Sequence, residues 1–230
     1  MRNVISDIHK HRRVNDILLG PLERPALRWL AAHVPAWVTP DICTLTGVAG
    51  AVVILISYLL STYDPRFLWL ASLGFVINWF GDSLDGTLAR YRKIERPVYG
   101  FFIDHTVDAA NEVLVFLGLG MSPYVSFPVA CLALIAYLLL SILIYVRTCV
   151  TGEFVISYSR LGPTEIRVLA ILLNTVMYFS GEREIPLAFG TFGPYTLNPY
   201  DLVVGAIALL LVSFFLVTAV QESRRLAKTR

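Results

Sequence analysis

The stretch GDSLDGTLARYRKIERPVYGFFIDHTVD, residues 81–108, lies between long apolar runs and carries four aspartates, Asp82, Asp85, Asp104 and Asp108. Ionisable groups at the ends of membrane spans are costly to bury and are functional by default. On a helix, Asn78, Asp82, Asp85, Gly86 and Ala89 fall on one stripe, at three- and four-residue spacing. Gly100, Asp104 and Asp108 stack on another at four-residue steps. Two adjacent antiparallel helices can therefore aim four carboxylates at one another. Left unpaired, these would repel one another and suffer desolvation, so each would tend to protonate. A hard divalent cation, Mg²⁺ or Mn²⁺, resolves both problems, and two ions could share such a ligand set. No cluster of His or Cys competes for a softer metal.

Composition places the stretch in a membrane. The chain is 56% hydrophobic, far more than a soluble domain of 230 residues needs. A net charge of only +2 speaks against nucleic acid as a partner. Cys43, Cys131 and Cys149 fall in or beside apolar runs and read as buried, reduced thiols. Six segments, at about 42–60, 66–89, 99–121, 124–150, 163–180 and 199–220, are long and apolar enough to cross a bilayer as helices. The first 41 residues are basic and polar, with no cleavable signal peptide, so the first apolar run must direct insertion. Residues 22–35 place Leu22, Ala26, Trp29, Leu30 and Val34 near one face and Arg24 and Arg28 on another. This predicts an amphipathic helix, either lying in the membrane interface or packed on the protein's own cytosolic surface.

The expected fold is an all-α integral membrane protein of six transmembrane helices preceded by that interfacial helix. Its parts are a cytosolic amino-terminal segment (1–41), a six-helix membrane catalytic domain (42–220) and a basic cytosolic tail (221–230). Seventeen of the nineteen Lys and Arg residues fall on the side of the two termini and the carboxylates, leaving only Arg66 and Arg183 opposite. That bias puts both termini and the acidic site in the cytoplasm. The basic segments could also touch anionic lipid.

Other polar residues admit two readings each. Gly86, Ala89 and Gly100 either let helices approach closely or make room for a phosphate-bearing ligand. Arg90 is either a topogenic charge or a clamp for that phosphate. His105 points about a quarter-turn from the Asp104–Asp108 stripe and reads as a structural hydrogen-bonding residue in preference to a substrate contact. Glu112, one turn deeper, must be protonated, paired or solvated, and could line the lipid-accessible end of the site. Glu165 either caps a helix that opens at Pro163 or faces the acceptor. Arg147, Arg160 and Arg167 either anchor the cytosolic side or bind an acceptor phosphate.

The pattern Asp82-x-x-Asp85-Gly86-x-x-Ala89-Arg90…Gly100-x-x-x-Asp104-x-x-x-Asp108 resembles the signature of the CDP-alcohol phosphotransferase (CDP-alcohol phosphatidyltransferase) family at eight positions. One departure is visible: nine residues, Tyr91–Tyr99, separate Arg90 from Gly100, where the family usually has eight. Ala36–Gly47 is also similar to the family's Pro-containing entry into its first span. The resemblance implies transfer of a substituted phosphate from a CDP-linked donor to an alcohol, with release of CMP. It further implies that Asp82, Asp85 and Asp104 are metal ligands, with Asp108 a ligand or the general base. Gly86, Ala89 and Arg90 would then accommodate cytidine and diphosphate. The donor would be CDP-diacylglycerol or a CDP-choline or CDP-ethanolamine compound, and Asp104-His105 leans toward the latter branch. The acceptor would be a lipid or polyol alcohol. Family members are often homodimers, although no stretch of this chain identifies an interface. The competing function is a divalent-cation transporter using the same carboxylates, for which sites near the midplane and broken helices would be expected.

Overall fold

The bundle is organised by two helices that touch backbone to backbone. In the computed structural model, which describes residues 18–151, 162–182, 185–188 and 194–228, the elements run α1 (Gly20–His33), α2 (Pro40–Leu60), α3 (Phe67–Arg92), α4 (Pro97–Gly120), α5 (Phe127–Thr151) and α6 (Pro163–Ser180). Two short strands, β1 (Ile185–Ala188) and β2 (Pro194–Leu197), then pair antiparallel before α7 (Pro199–Lys228). The connection between the last two helices is thus partly a ribbon, an element that the helical periodicity of the flanking runs does not announce. All six expected segments are helical, and α7 continues eight residues past the expected end, through most of the basic tail.

Among the described residues four helices, α2, α3, α5 and α7, are long and apolar enough to cross a membrane. The other two long helices fall short for a chemical reason. Asp104, Asp108 and Glu112 interrupt α4, while Glu165, Arg167 and Asn174 interrupt α6.

α2 and α3 meet along Gly47 and Gly50 on one side and Gly74, Asn78 and Gly81 on the other. A methyl group at Gly81 would fall on the Gly47 nitrogen and the Cys43 carbonyl, and one at Gly50 would lie 2.5 Å from the Asn78 nitrogen. In lipid, where apolar burial hardly favours helix association, such close van der Waals contact drives pairing. Gly118 on α4 likewise abuts the Leu55 backbone, 2.9 Å from where its side chain would begin, so α2 is flanked by both acid-bearing helices. Buried hydrogen bonds add specificity. Tyr58 donates to Asn174 Oδ1 (2.8 Å), whose amide donates to Ser72 Oγ (3.2 Å), joining α2, α6 and α3. Each interhelical bond of this kind contributes about 0.6 kcal/mol on average.

Two cores result. The larger gathers Ile54, Phe75, Leu119, Ala133, Met177 and Ala208 from six helices. The smaller packs Leu27 and Ala31 of α1 against Cys43, Leu84 and Leu88. The amphipathic helix therefore does pack on the protein, through Leu27 and Ala31 with Leu30 and Val34 of the expected face beside them, while Leu22 and Trp29 are 74% and 61% exposed. Of the three free cysteines only Cys43 is buried, and Cys149 is exposed. We expect Gly81→Val to lower stability by about 1–3 kcal/mol, read as an earlier melting transition in detergent. Gly205→Ala, whose methyl would find only Val129 Cγ1 at 3.9 Å, should leave melting unchanged or slightly raised.

Candidate active site

The carboxylates owe their alignment to unbroken helices. α3 runs from Phe67 to Arg92, so the stripe of Asn78, Asp82 and Asp85 keeps its helical spacing to the end. The helix stops at Lys93, which adopts the left-handed conformation (φ 58°), while Ile94 N–H donates back to the Ala89 carbonyl at 3.0 Å. This is a Schellman-type ending with lysine where glycine is usual. Pro97 then opens α4. Of the nine residues between Arg90 and Gly100, only Lys93–Arg96 lie outside a helix. The extra residue is absorbed without disturbing either carboxylate stripe.

All four aspartates line a cavity of about 650 Å³ between α1, α2, α3, α4 and α6. All four also line a smaller adjoining cavity of about 10 Å³, together with Thr44, Gly47, Val107 and Asn111. That is room for about one water-sized species. Asp104, His105 and Asp108 bring ligand atoms within 4.8 Å of one another. Asp82 and Asp85 face them from α3 but stand outside that tightest group, each held by a neighbour. Arg167 Nη2 donates to Asp82 Oδ2 at 2.7 Å, and Thr44 Oγ1 donates to Asp85 Oδ2 at 2.7 Å. The Gly86 N–H also donates to Asp85 Oδ1, at 2.5 Å.

Gly86, Ala89, Arg90 and Gly100 line the large cavity with them. The two glycines among them are not required by close helix contact. A methyl at Gly100 would meet nothing within 4 Å, and the nearest atoms to one at Gly86 would be those of the Arg90 guanidinium. At Gly86 and Gly100 helix packing does not demand a small residue, whereas close approach does so at Gly47, Gly50, Gly74 and Gly81.

The remaining polar residues separate clearly. Arg167 lines the cavity and is doubly anchored, since its Nε also donates to Asn78 Oδ1 at 2.9 Å while Nη1 is buried without a hydrogen-bond partner. Asn78 in turn donates to the Gly47 carbonyl at 2.9 Å. Arg147 is instead engaged with Glu222 of α7 at 3.0 Å, and Arg160 lies outside the described residues, as do the basic residues of 1–17. His105 lines the large cavity, its Nδ1 3.7 Å from Asp104 Oδ2 and its ring between Phe101 and Tyr145. Glu112 lines neither cavity and takes a hydrogen bond from Tyr137 of α5. Glu165 caps α6 by accepting from the Gly162 N–H (2.9 Å), and its other oxygen accepts from the Leu19 N–H (2.8 Å), so it ties α1 to α6 and does not face the cavity. At the mouth, Arg96 pairs with Asp41 at 2.5 Å, and this hydrogen bond holds its guanidinium pKa above the ordinary value.

Three features have little sequence signal. Thr44 joins the aspartates from a segment whose spacing says nothing of the site, whereas Asn111 continues the Asp104–Asp108 stripe at three-residue spacing and could have been read from it. Glu23 Oε1 accepts from Trp79 Nε1, Ser83 Oγ and Thr164 Oγ1 at 2.9, 3.0 and 3.0 Å, bringing α1 into the cavity wall. Arg92, read only as a topogenic charge, donates to the carbonyls of Val34, Pro35 and Val38 at 3.0, 3.0 and 2.6 Å and so secures the turn from α1 to α2.

The site fits a divalent metal on its own geometry: oxygen donors predominate, an ion-sized space adjoins all four carboxylates, and the buried Asn111 Oδ1 in its wall has no hydrogen-bond partner. The fold and site thus define a helical membrane bundle whose four aspartates share a ligand-sized cavity with five arginines. The chain belongs to the CDP-alcohol phosphatidyltransferase family, whose model matches residues 37–217. It is 27% identical to cholinephosphotransferase 1 of Gallus gallus over 186 residues, covering 75% of this chain and 53% of that protein. It is 28% identical to the CDP-diacylglycerol–serine O-phosphatidyltransferase of Encephalitozoon cuniculi, over 78% of this chain and 48% of that one. A shorter match, 34% over 87 residues, covers 37% of this chain and 39% of the phosphatidylinositol phosphate synthase of Cutibacterium acnes. The chain thus spans about half the length of the cholinephosphotransferases it matches. The cation-transporter alternative receives no support from these relatives.

Adding Mn²⁺ or Mg²⁺ should raise the melting temperature of the purified protein, as expected when a ligand binds only the folded state. Asp82→Asn, Asp85→Asn, Asp104→Asn and Asp108→Asn should each lose most of that rise. Equal shifts in all five proteins would exclude this ligand set.

Proposed function

We propose that the protein transfers a substituted phosphate from a CDP-linked donor to an alcohol hydroxyl, releasing CMP. The observation that carries this reading is the convergence of Asp82, Asp85, Asp104 and Asp108 on one cavity wall, with Gly86, Ala89, Arg90 and Arg167 around the same space. Asp82, Asp85 and Asp104 would hold the metal, one ion or two, with Asp108 contributing. The metal would supply charge neutralisation at the diphosphate and on the leaving CMP.

The remaining chemistry belongs to the chain. The acceptor oxygen forms a bond to the donor's substituted phosphorus as the bond from that phosphorus to the CMP oxygen breaks. Asp108 takes the hydroxyl proton, a role suited to a carboxylate within hydrogen-bond reach of the attacking oxygen. Arg90 and Arg167 clamp phosphate oxygens. The buried, unpartnered Nη1 of Arg167 is well suited to this, because guanidinium donors are strongest toward anions away from water.

A CDP-choline or CDP-ethanolamine donor with a lipid alcohol acceptor is the preferred pairing. It is supported by the cholinephosphotransferase relatives over three quarters of the chain and by the Asp104-His105 pair beside the cavity. A phosphorylated polyol acceptor is less well supplied with arginine, since Arg147 is engaged elsewhere.

The reading includes the topology. α4 and α6 complete six spans, their charges turned toward the cavity or paired between helices, and α1 lies in the interface with Leu22 and Trp29 toward lipid. The Lys and Arg bias supports a site on the cytoplasmic side, with residues 1–41 and 221–230 as cytosolic segments flanking the membrane domain.

In detergent, CMP release should require Mg²⁺ or Mn²⁺ and should be faster with CDP-choline or CDP-ethanolamine plus diacylglycerol than with CDP-diacylglycerol plus serine. Asp108→Ala should abolish turnover while donor binding survives better than in Asp82→Ala. Equal loss of binding in the two variants would remove the distinct base role of Asp108.

A further inference from the structure

The amphipathic helix has three faces. Leu27 and Ala31 are buried against α3, while Leu22 and Trp29 point outward. Arg24 and Arg28, one helical turn apart, lie about 60° round from the buried face. Both line the large cavity that holds the four aspartates, together with Arg90, whereas Arg96 at the same cavity is paired with Asp41. Helix α1 is also fixed with unusual care. Glu23, next to Arg24, accepts three hydrogen bonds from α3 and the first turn of α6, and Leu19 N–H donates to Glu165. Apolar packing of Leu27 and Ala31 on Cys43, Leu84 and Leu88 seats the helix on the bundle. The added polar clamp fixes its rotation, and so fixes which side its arginines face.

We propose that Arg24 and Arg28 form a phosphate subsite that takes the diphosphate of the CDP-linked donor, on the wall facing the carboxylates. This rests on the functional reading above and adds a binding role for α1 to it. Paired guanidinium groups suit a diphosphate because each presents a planar fork of donors. Holding them on a clamped helix lowers the ordering cost of binding. Anionic lipid headgroups offer the same phosphate chemistry. The position of both arginines on the cavity wall favours the nucleotide.

The test uses the full chain in neutral detergent with Mg²⁺, measuring CDP affinity by calorimetry and the KM for CDP-choline by CMP release. Arg24→Gln/Arg28→Gln should weaken CDP binding and raise KM by at least about tenfold, with kcat little changed and melting temperature unaltered. Arg24→Lys/Arg28→Lys should recover part of the loss, because charge survives without the fork. Should the double variant melt early, Arg28→Gln alone, at an exposed position, carries the test with the same expected direction. Unchanged CDP affinity and KM in a normally melting variant would overturn the subsite. So would unchanged detergent kinetics accompanied by lost stimulation on moving from phosphatidylcholine vesicles to vesicles containing phosphatidylglycerol, which would assign the arginines to the bilayer surface. Weakened CDP binding in a protein that never releases CMP would sustain the subsite and sink the transfer reaction.

Discussion

Four carboxylates held between helices of an otherwise apolar bundle must be balanced, and much of the surrounding structure answers that requirement. Asp82 is matched by Arg167 and Asp85 by Thr44, each at 2.7 Å. Arg167 is itself steadied by Asn78, whose amide reaches the α2 backbone at Gly47. The chain of contacts therefore runs from α6 through α3 to α2 and ends at the glycine contact that sets the distance between α2 and α3. Removing one member of such a buried pair typically costs about 3–5 kcal/mol, because the remaining charge is left stranded. A metal on the aspartates would share the same balance, with Arg167 and the ion serving one set of acids from two sides.

The helices around this centre divide the work by chemistry. α2 contributes a close glycine face and the hydroxyl of Thr44. α3 and α4 contribute the acids. α6 contributes Arg167, with its start pinned by Glu165 and Thr164 to α1. Helix α1 is tied by Glu23 to Trp79 and Ser83, the latter adjacent to Asp82. Its register is thus fixed relative to the acids and not only to the hydrophobic core. Far from the site, the Tyr58–Asn174–Ser72 network and the buried Asp201, which accepts from the Ser126 and Asn198 amides, hold the opposite half of the bundle.

The acid stripe could be read from the sequence because a continuous helix converts spacing directly into direction. Asp82, Asp85, Asp104 and Asp108 needed no tertiary information beyond α3 and α4 facing one another, which the bundle achieves by packing both on α2 and not, as the sequence suggested, by setting them side by side. The helical segments were equally plain, since long apolar runs bounded by Pro, Gly and charge have little choice but to be helices in lipid. What spacing could not provide was partnership between distant segments. Glu23 meets residues 56, 60 and 141 positions away, and Thr44 meets Asp85 across 41. Arg92 looked like one more positive charge at a membrane surface, yet its guanidinium gathers the carbonyls that follow α1. Charges of this kind are ambiguous in sequence because topology and structure ask for the same residue.

The glycines show the same limit from the other direction. In sequence, Gly81, Gly86 and Gly100 are alike, small residues on or beside the acid stripes. In the folded bundle a methyl at Gly81 collides with the α2 backbone, while one at Gly100 meets empty space. One glycine brings helices together so that the acids converge, and the other keeps the wall beside the acids open. Both are needed for a site of this type, because carboxylates drawn close enough to share a cation would close over it if every neighbour also packed tightly. The stretch from 81 to 108 alternates the two functions within a few turns, and this leaves a ligand-sized cavity beside carboxylates that the bundle has already drawn together.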